Sequence, residues 1–455
     1  MARKLPQNAE RNCHKTPNKL ATKRRTMYNK DMKGEYRQRA ADIALKDALE
    51  AKGAVLVQGP KWCGKTTTAE QMAGSVIYMQ QPDKKAQYLE MAATNPLYLL
   101  EGSTPHLIDE WQLAPKLWDA VRYEVDRRDE FGQFILTGST VVPESDEISH
   151  TGVGRIAKIR MGTMSLYESG DSSGSVSLSD LFNGKNDIYG TNETTLERLA
   201  FLVCRGGWPK AVGLPEKAAL RQARDYYDVL VESDMSRVDN VKRDVERVKL
   251  LMRSYSRNLC TQAKNTQIRD DMKANDSDSL NEDTVLSYIN ALKKLFVVEE
   301  LPAWNPNIRS KTAIRTSYTR HFADPSIAAA CLGLGPQDLI NDLRTFGFLF
   351  ESLCVRDLQV FASCLDGTVY HYRDSNELEC DAILHLRNGD WGAMEIKLGI
   401  HHIDEGAKNL LSLAKMIDTE KMKPPSFLMV VSGLSSFAYK RKDGVLVVPA
   451  TCLKW

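Results

Sequence analysis

The stretch Ala54-Val55-Leu56-Val57-Gln58-Gly59-Pro60-Lys61-Trp62-Cys63-Gly64-Lys65-Thr66 decides the fold. Its first four residues are apolar and two are β-branched, which reads as a buried strand. The loop that follows has the form G-x-x-x-x-G-K-[ST], and 67–73 after it is compatible with a helix. In that context glycines let backbone N–H groups curl around phosphate oxygens, and the helix N-terminus adds its positive dipole end. Lys65 would reach the β- and γ-phosphates and the Thr66 hydroxyl would bind Mg2+. The candidate ATP-binding set at the loop is Gly59, Pro60, Lys61, Trp62, Cys63, Gly64, Lys65, Thr66 and Thr67.

Further apolar runs at 76–79, 106–108 and 134–136 alternate with helix-compatible segments, the pattern of a parallel sheet covered on both faces. One run leads into two acids, His106-Leu107-Ile108-Asp109-Glu110. Asp109 can complete the magnesium shell, and Glu110 can polarise an attacking water, which favours hydrolysis over transfer to a bound acceptor. Another ends in hydroxyls, Phe134-Ile135-Leu136-Thr137-Gly138-Ser139-Thr140. Ligands of such sheets sit beyond the strand carboxyl ends, so Thr137 or Ser139 could sense the γ-phosphate, and spacing does not choose between them. Arg155, in Gly152-Val153-Gly154-Arg155, is a candidate for stabilising transition-state charge within or between subunits, with a plain surface arginine as the competing reading.

The chain has 455 residues, 42% of them apolar and 26% charged, which excludes a fibrous or wholly disordered protein. At about 100–200 residues per domain it should hold two to four domains. No apolar run approaches the roughly 18–20 residues of a membrane span, and the basic N-terminus lacks the hydrophobic block of a secretory signal. Nine scattered cysteines without a C-x-x-C pair point to a reducing cytoplasm rather than a disulfide framework. The net charge of +2 hides an asymmetry: residues 1–39 hold twelve Lys or Arg against three acids, +9, which leaves −7 for the remainder. Such a tail either grips phosphate backbones or is a solvated extension.

Past a Gly/Ser-rich stretch at 169–186, expected to be an excursion or a domain edge, residues 191–300 are helical in pattern. Asp283 is placed to cap a helix with Val285, Ile289, Leu292 and Leu295 on one face, and a strand at 296–301 follows. Helices then a strand suggest a winged-helix module. The last part reads as a second α/β domain: a long helix at 344–364, strands at 369–372, 380–386 and 391–398, a helix at 405–417 and a strand at 427–431. Here Asp381 precedes Glu395-Ile396-Lys397, the D-x(n)-E-x-K arrangement of metal-dependent nucleases. Glu395 and Lys397 share a strand face; two carboxylates can hold Mg2+ or Mn2+, and the lysine can activate water against a phosphodiester. Glu351 lies on the apolar stripe of Val355, Leu358 and Ala362, where a carboxylate is costly unless paired or metal-bound. Asn388-Gly389 predicts the hairpin turn. A two-residue turn there would send Asp381 to the wrong face, whereas an odd-length loop or a bulge would set it opposite Lys397.

These motifs occur in order with Met164-Ser165-Leu166-Tyr167-Glu168-Ser169, Gly206-Gly207-Trp208-Pro209, Ala303-Trp304-Asn305-Pro306 and Phe322-Ala323-Asp324-Pro325-Ser326. Together they make residues 35–455 resemble prokaryotic AAA-type ATPases whose C-terminal part is catalogued as domain of unknown function 4143. The resemblance implies a P-loop ATPase at 35–190, a helical and winged-helix-like connector at 191–310 and a PD-(D/E)XK restriction-nuclease-like domain at 311–455, behind a basic tail at 1–34. Lys65, Thr66, Asp109 and Glu110 match its nucleotide site; Glu351, Asp381, Glu395 and Lys397 match the nuclease-like set. Metal would be held by Thr66 and Asp109 at one centre, and by Glu351, Asp381 and Glu395 at the other. The function expected is ATP hydrolysis acting on or with DNA, to which Arg309, Lys311, Arg315 and Arg320 offer a basic run. The alternative is a nucleotide-dependent switch or scaffold, with or without self-association, that binds a protein partner while its nuclease-like site is silent.

Overall fold

The loop strand lies second from one edge of a five-stranded sheet. The computed structural model describes residues 36–141, 152–239, 241–274, 280–306 and 316–455, so the basic tail of 1–34 falls outside it. Helix α1 (Ala40–Ala51) leads into β1 (Ala54–Gln58), followed by α2 (Lys65–Met72), β2 (Ser75–Tyr78), α3 (Lys85–Thr94), β3 (His106–Asp109), α4 (Lys116–Arg128), β4 (Phe134–Gly138) and β5 (Ile156–Arg160). The strands run parallel in the order β2-β3-β4-β1-β5. Both faces are covered, as the unbroken apolar runs require. Leu45, Leu49 and Ala69 pack beneath one face, and Leu117, Val121, Trp111 and Trp118 beneath the other. The register sets Gln58 beside Gly138 and Thr137 beside Asp109, which aligns three strand ends on one carboxyl edge.

After β5 the chain crosses to the rest of the molecule. The Gly/Ser-rich stretch does not close the ATPase part. Its β6 (Val176–Ser177) pairs with β16 (Leu453–Lys454) near the C-terminus, and Ser172 Oγ donates to Leu453 O at 2.7 Å. Then β7 (Gly190–Thr191) extends the C-terminal sheet by pairing with β14 (Phe437–Lys440). Residues 172–191 therefore pair with the C-terminal part, and Arg39–Trp455 forms one compact unit. The connector supplies α5 (Leu196–Arg205), α6 (Glu216–Val229), α7 (Val245–Arg257), α8 (Asn265–Lys273) and α9 (Glu282–Lys294), then the antiparallel ribbon β8 (Val298–Leu301) and β9 (Thr319–Phe322). Asn281, not Asp283, caps α9: its Oδ1 accepts from Thr284 N at 2.7 Å, because Asp283 already lies inside the first turn.

Helices α10 (Pro325–Leu332), α11 (Pro336–Asn341) and α12 (Leu343–Cys364) bring the chain to β10 (Gly367–Arg373), β11 (Glu379–Leu386) and β12 (Trp391–Lys397). Then come α13 (Ile403–Met416), β13 (Phe427–Ser432), β14 and β15 (Leu446–Pro449). The seven-stranded mixed sheet runs β10-β11-β12-β13-β15-β14-β7. A buried charged network joins the parts. Arg356 on α12 pairs with Asp324 (2.9 Å) and Asp357 (2.6 Å). Asp324 also accepts from Gly207 N (2.9 Å), Thr163 Oγ1 (2.7 Å) and Ser326 Oγ (2.6 Å), while Asp357 accepts from Leu166 N at 2.9 Å. Three of the sequence motifs thus meet at one node. Gly207 must be glycine there, because a Cβ would lie 2.0 Å from Met164 O. Removing one partner of such a node costs about 3–5 kcal/mol, since it strands a buried charge.

Candidate functional site

At the carboxyl edge Gly64, at φ 102°, turns the loop into α2, a left-handed conformation open to glycine without strain. Lys65 is buried, and its Nζ donates to the loop's own Gly59 O (3.0 Å) and Pro60 O (2.8 Å). Thr66 Oγ1 and Thr137 Oγ1 each donate to the same oxygen, Asp109 Oδ1, at 2.6 Å. Thr67 follows in the first turn of α2. Glu110, at φ 56°, is braced beside this cluster: its N donates to Thr137 Oγ1 at 3.2 Å. Its Oε2 accepts from Ser139 Oγ at 3.2 Å and from Gln112 Nε2. The two hydroxyls that sequence could not rank are thus divided, Thr137 on Asp109 and Ser139 on Glu110.

Three residues of the expected set behave differently. Arg155 lies just before β5, level with the start of β1, and so at the amino-terminal edge of the sheet. A five-residue strand at ~3.3 Å per residue puts about 16 Å between it and the loop. Its guanidinium is exposed and pairs with Asp126 at 2.8 Å, so it is not part of this nucleotide site. Lys61 points away from the cradle, donating to Asp234 Oδ1 at 2.6 Å. Trp62 packs edge-on against Tyr226 of the connector, with centroids 5.6 Å apart. Two residues that sequence reading missed also reach the site. Gln112, which braces Glu110, lies two positions beyond it; Arg39, which bonds the loop from 24 positions upstream, carried no local signal.

A parallel sheet with this loop at its carboxyl edge, and an acid pair two strands away, fits a P-loop NTPase domain. Residues 51–169 match the family model described as AAA domain. Residues 196–338 match a domain of unknown function, DUF8612, and residues 346–453 another, DUF4143. Among solved structures the chain is similar to a Walker-type ATPase of Pyrococcus abyssi at 15% identity and a TM-score of 0.40, over 66% of this chain and 99% of that one. No curated protein matches it.

In the C-terminal sheet a three-residue turn at 387–389 replaces the two-residue one, with Gly389 N donating to Leu386 O at 3.0 Å. The register carries Ala382 opposite Met394, so Asp381 comes opposite Glu395 rather than Lys397, on the same face. Lys397 Nζ bridges them, 2.6 Å from Glu395 and 3.3 Å from Asp381. Glu395 is 1% exposed, and its Oε1 has no hydrogen-bond partner. Burial and then the Asp381 charge push its carboxyl up to about 8, against Lys397. The same two causes push Glu351 well up. Burial alone would lower the Lys397 ammonium, but Asp381 and Glu395 reverse the effect and hold it charged.

The orphaned Glu395 oxygen suits a cation. Yet among the described residues no three His, Cys, Asp or Glu side chains stand together as a metal-holding group, and Lys397 bridges two of the acids. The expected set of Glu351, Asp381 and Glu395 does not form such a group by itself. A cavity of about 420 Å³ opens by Glu351 and Lys397 beside Arg344, His401 and His402. A pocket of about 50 Å³ on the Asp381 side is roofed by Cys260 and Thr319 of the connector. Of the expected basic run, Arg309, Lys311 and Arg315 fall outside the described residues. Arg320 is buried, donating to Ala263 O (2.7 Å) and Asn265 Oδ1 (2.8 Å), so it offers no phosphate contact. Among the described residues no helix is long and apolar enough to cross a membrane.

Proposed function

We propose that this chain hydrolyses ATP at residues 51–169 and uses the turnover to act on or with DNA through its C-terminal domain. The observation that carries the hydrolytic part is the convergence of Thr66 and Thr137 on one oxygen of Asp109, with Glu110 braced alongside. Thr66 and Asp109 suit Mg2+, which needs one or two protein oxygens beside phosphate and water. Bound there, the ion would neutralise phosphate charge. Lys65 exchanges its two loop carbonyls for phosphate oxygens. Glu110, its second oxygen fixed by Ser139 and Gln112, orients a water for in-line attack. Thr137 holds Asp109 in place from the strand between. Lys65→Ala is expected to abolish Mg2+-dependent ATP turnover, and unchanged turnover would refute the assignment.

The C-terminal part of the proposal rests on Asp381, Glu395 and Lys397 sharing one face, with Glu351 on α12 close by. A second reading, a nucleotide-dependent switch for a protein partner with that site silent, draws on Lys397 occupying both acids. Mg2+- or Mn2+-dependent cleavage separates the two.

A further inference from the structure

Arg39 is 3% exposed and lies outside every recognised nucleotide motif. Its Nη1 donates to Cys63 O at 2.8 Å and its Nη2 to Gly162 O at 2.9 Å, while Nε stands 3.1 Å from Glu168 Oε1. One planar fork thus ties the phosphate loop to the segment leaving β5. Gly59 and Cys63 already lean on that segment: Cys63 Sγ bonds Met161 O at 3.5 Å, and a Cβ on Gly59 would lie 2.0 Å from the same oxygen. In a planar trans peptide the carbonyl of one residue and the N–H of the next point in opposite directions. A donor fixed on Cys63 O therefore aims Gly64 N–H away from Arg39. Gly64 is the N-cap of α2, so that N–H joins the unsatisfied donors of the helix start. The Arg39 charge is spent on Glu168, whose Oε2 is in turn held by Ser165 N at 2.7 Å. A buried, neutralised guanidinium of this kind orients the backbone and does not itself bind phosphate.

We propose that Arg39 is a positioning residue of the nucleotide site, fixing the Cys63–Gly64 peptide so that its N–H faces the bound phosphates. The inference rests on the nucleotide reading above. It is tested on the full chain with Arg39→Lys, which keeps a charge for Glu168 but cannot span both carbonyls. Arg205→Lys is the comparison. Arg205 is equally buried and bonds Asp171 (2.8 Å) and Gly206 O (2.9 Å) rather than the loop. Mg2+·ADP affinity and the KM for Mg2+·ATP are measured well below each variant's melting temperature. The expected result is a weakening of about ten- to a hundredfold in Arg39→Lys, the size of one charge-assisted hydrogen bond, with Arg205→Lys unchanged. Wild-type affinity in Arg39→Lys, or equal weakening in both variants, would overturn the positioning role. Failure of the wild-type chain to bind either nucleotide would instead overturn the nucleotide reading, and this inference with it.

Discussion

At the scale of single residues the nucleotide motifs were legible because their chemistry is local. A lysine and threonine at the start of a helix, or two acids ending a strand, carry their roles in adjacent positions. Arg39 and Asp234 were not, because each meets the loop from a distant part of the chain. The place of Arg155 was hidden for the complementary reason: a glycine-flanked arginine looks the same at either edge of a sheet, and only the register of β5 on β1 sets it away from its own chain's loop. His321 carries a prediction of its own. It is buried between Thr319 (3.2 Å), Ser352 (3.4 Å) and the Cys260 thiol (3.9 Å). Burial, with a smaller push from His371, brings its imidazole from 6.5 down to about 3. Between those values the unfolded chain binds a proton that the folded chain does not. Stability from this group is therefore whole above pH 6.5 and lost as pH falls toward 3, by at most about 1.4 kcal/mol per pH unit. Denaturant unfolding at pH 7.5 and pH 5 is expected to show a shallower loss in His321→Gln than in wild type; equal slopes would contradict it.

At the scale of elements, β1, β3 and β4 of the first sheet stood out because they are buried on both faces and read as apolar runs, whereas β2 is only half-buried and β5 carries Lys158 and Arg160. The long helix α12 was equally plain. The β11–β12 hairpin was harder. Asn388-Gly389 marks a turn but not its length, and one residue more or less moves Asp381 to the opposite face. The three-residue turn keeps Asp381 and Glu395 together but also brings Lys397 between them, which no sequence pattern could specify. With Mg2+ or Mn2+ and double-stranded DNA, the wild-type chain is expected to cut, and Asp381→Asn and Lys397→Met to lose cutting. Uncut DNA with the wild-type chain would contradict this and leave the switch reading.

At the scale of the whole molecule, sequence indicated an ATPase part, a connector and a C-terminal α/β domain, but not how closely they interlock. The motif around Glu168 also caps a junction where Arg39, Asp324, Arg356 and Asp357 meet backbone from three regions of the chain. Such pairings span up to 191 positions, beyond the reach of any local pattern. On the other side of the loop, Lys61 and Trp62 contact Asp234 and Tyr226 of the connector. A change in the loop on nucleotide turnover would thus be felt directly by both neighbours. All of this depends on ATP being held between the Lys65 loop and the Asp109–Glu110 pair. The most direct measurement compares Mg2+·ATP binding and hydrolysis in wild type and Glu110→Gln. The account predicts affinity within about twofold of wild type and turnover reduced by about 10²–10⁴-fold, the usual contribution of a positioned base. Wild-type turnover in Glu110→Gln would contradict it.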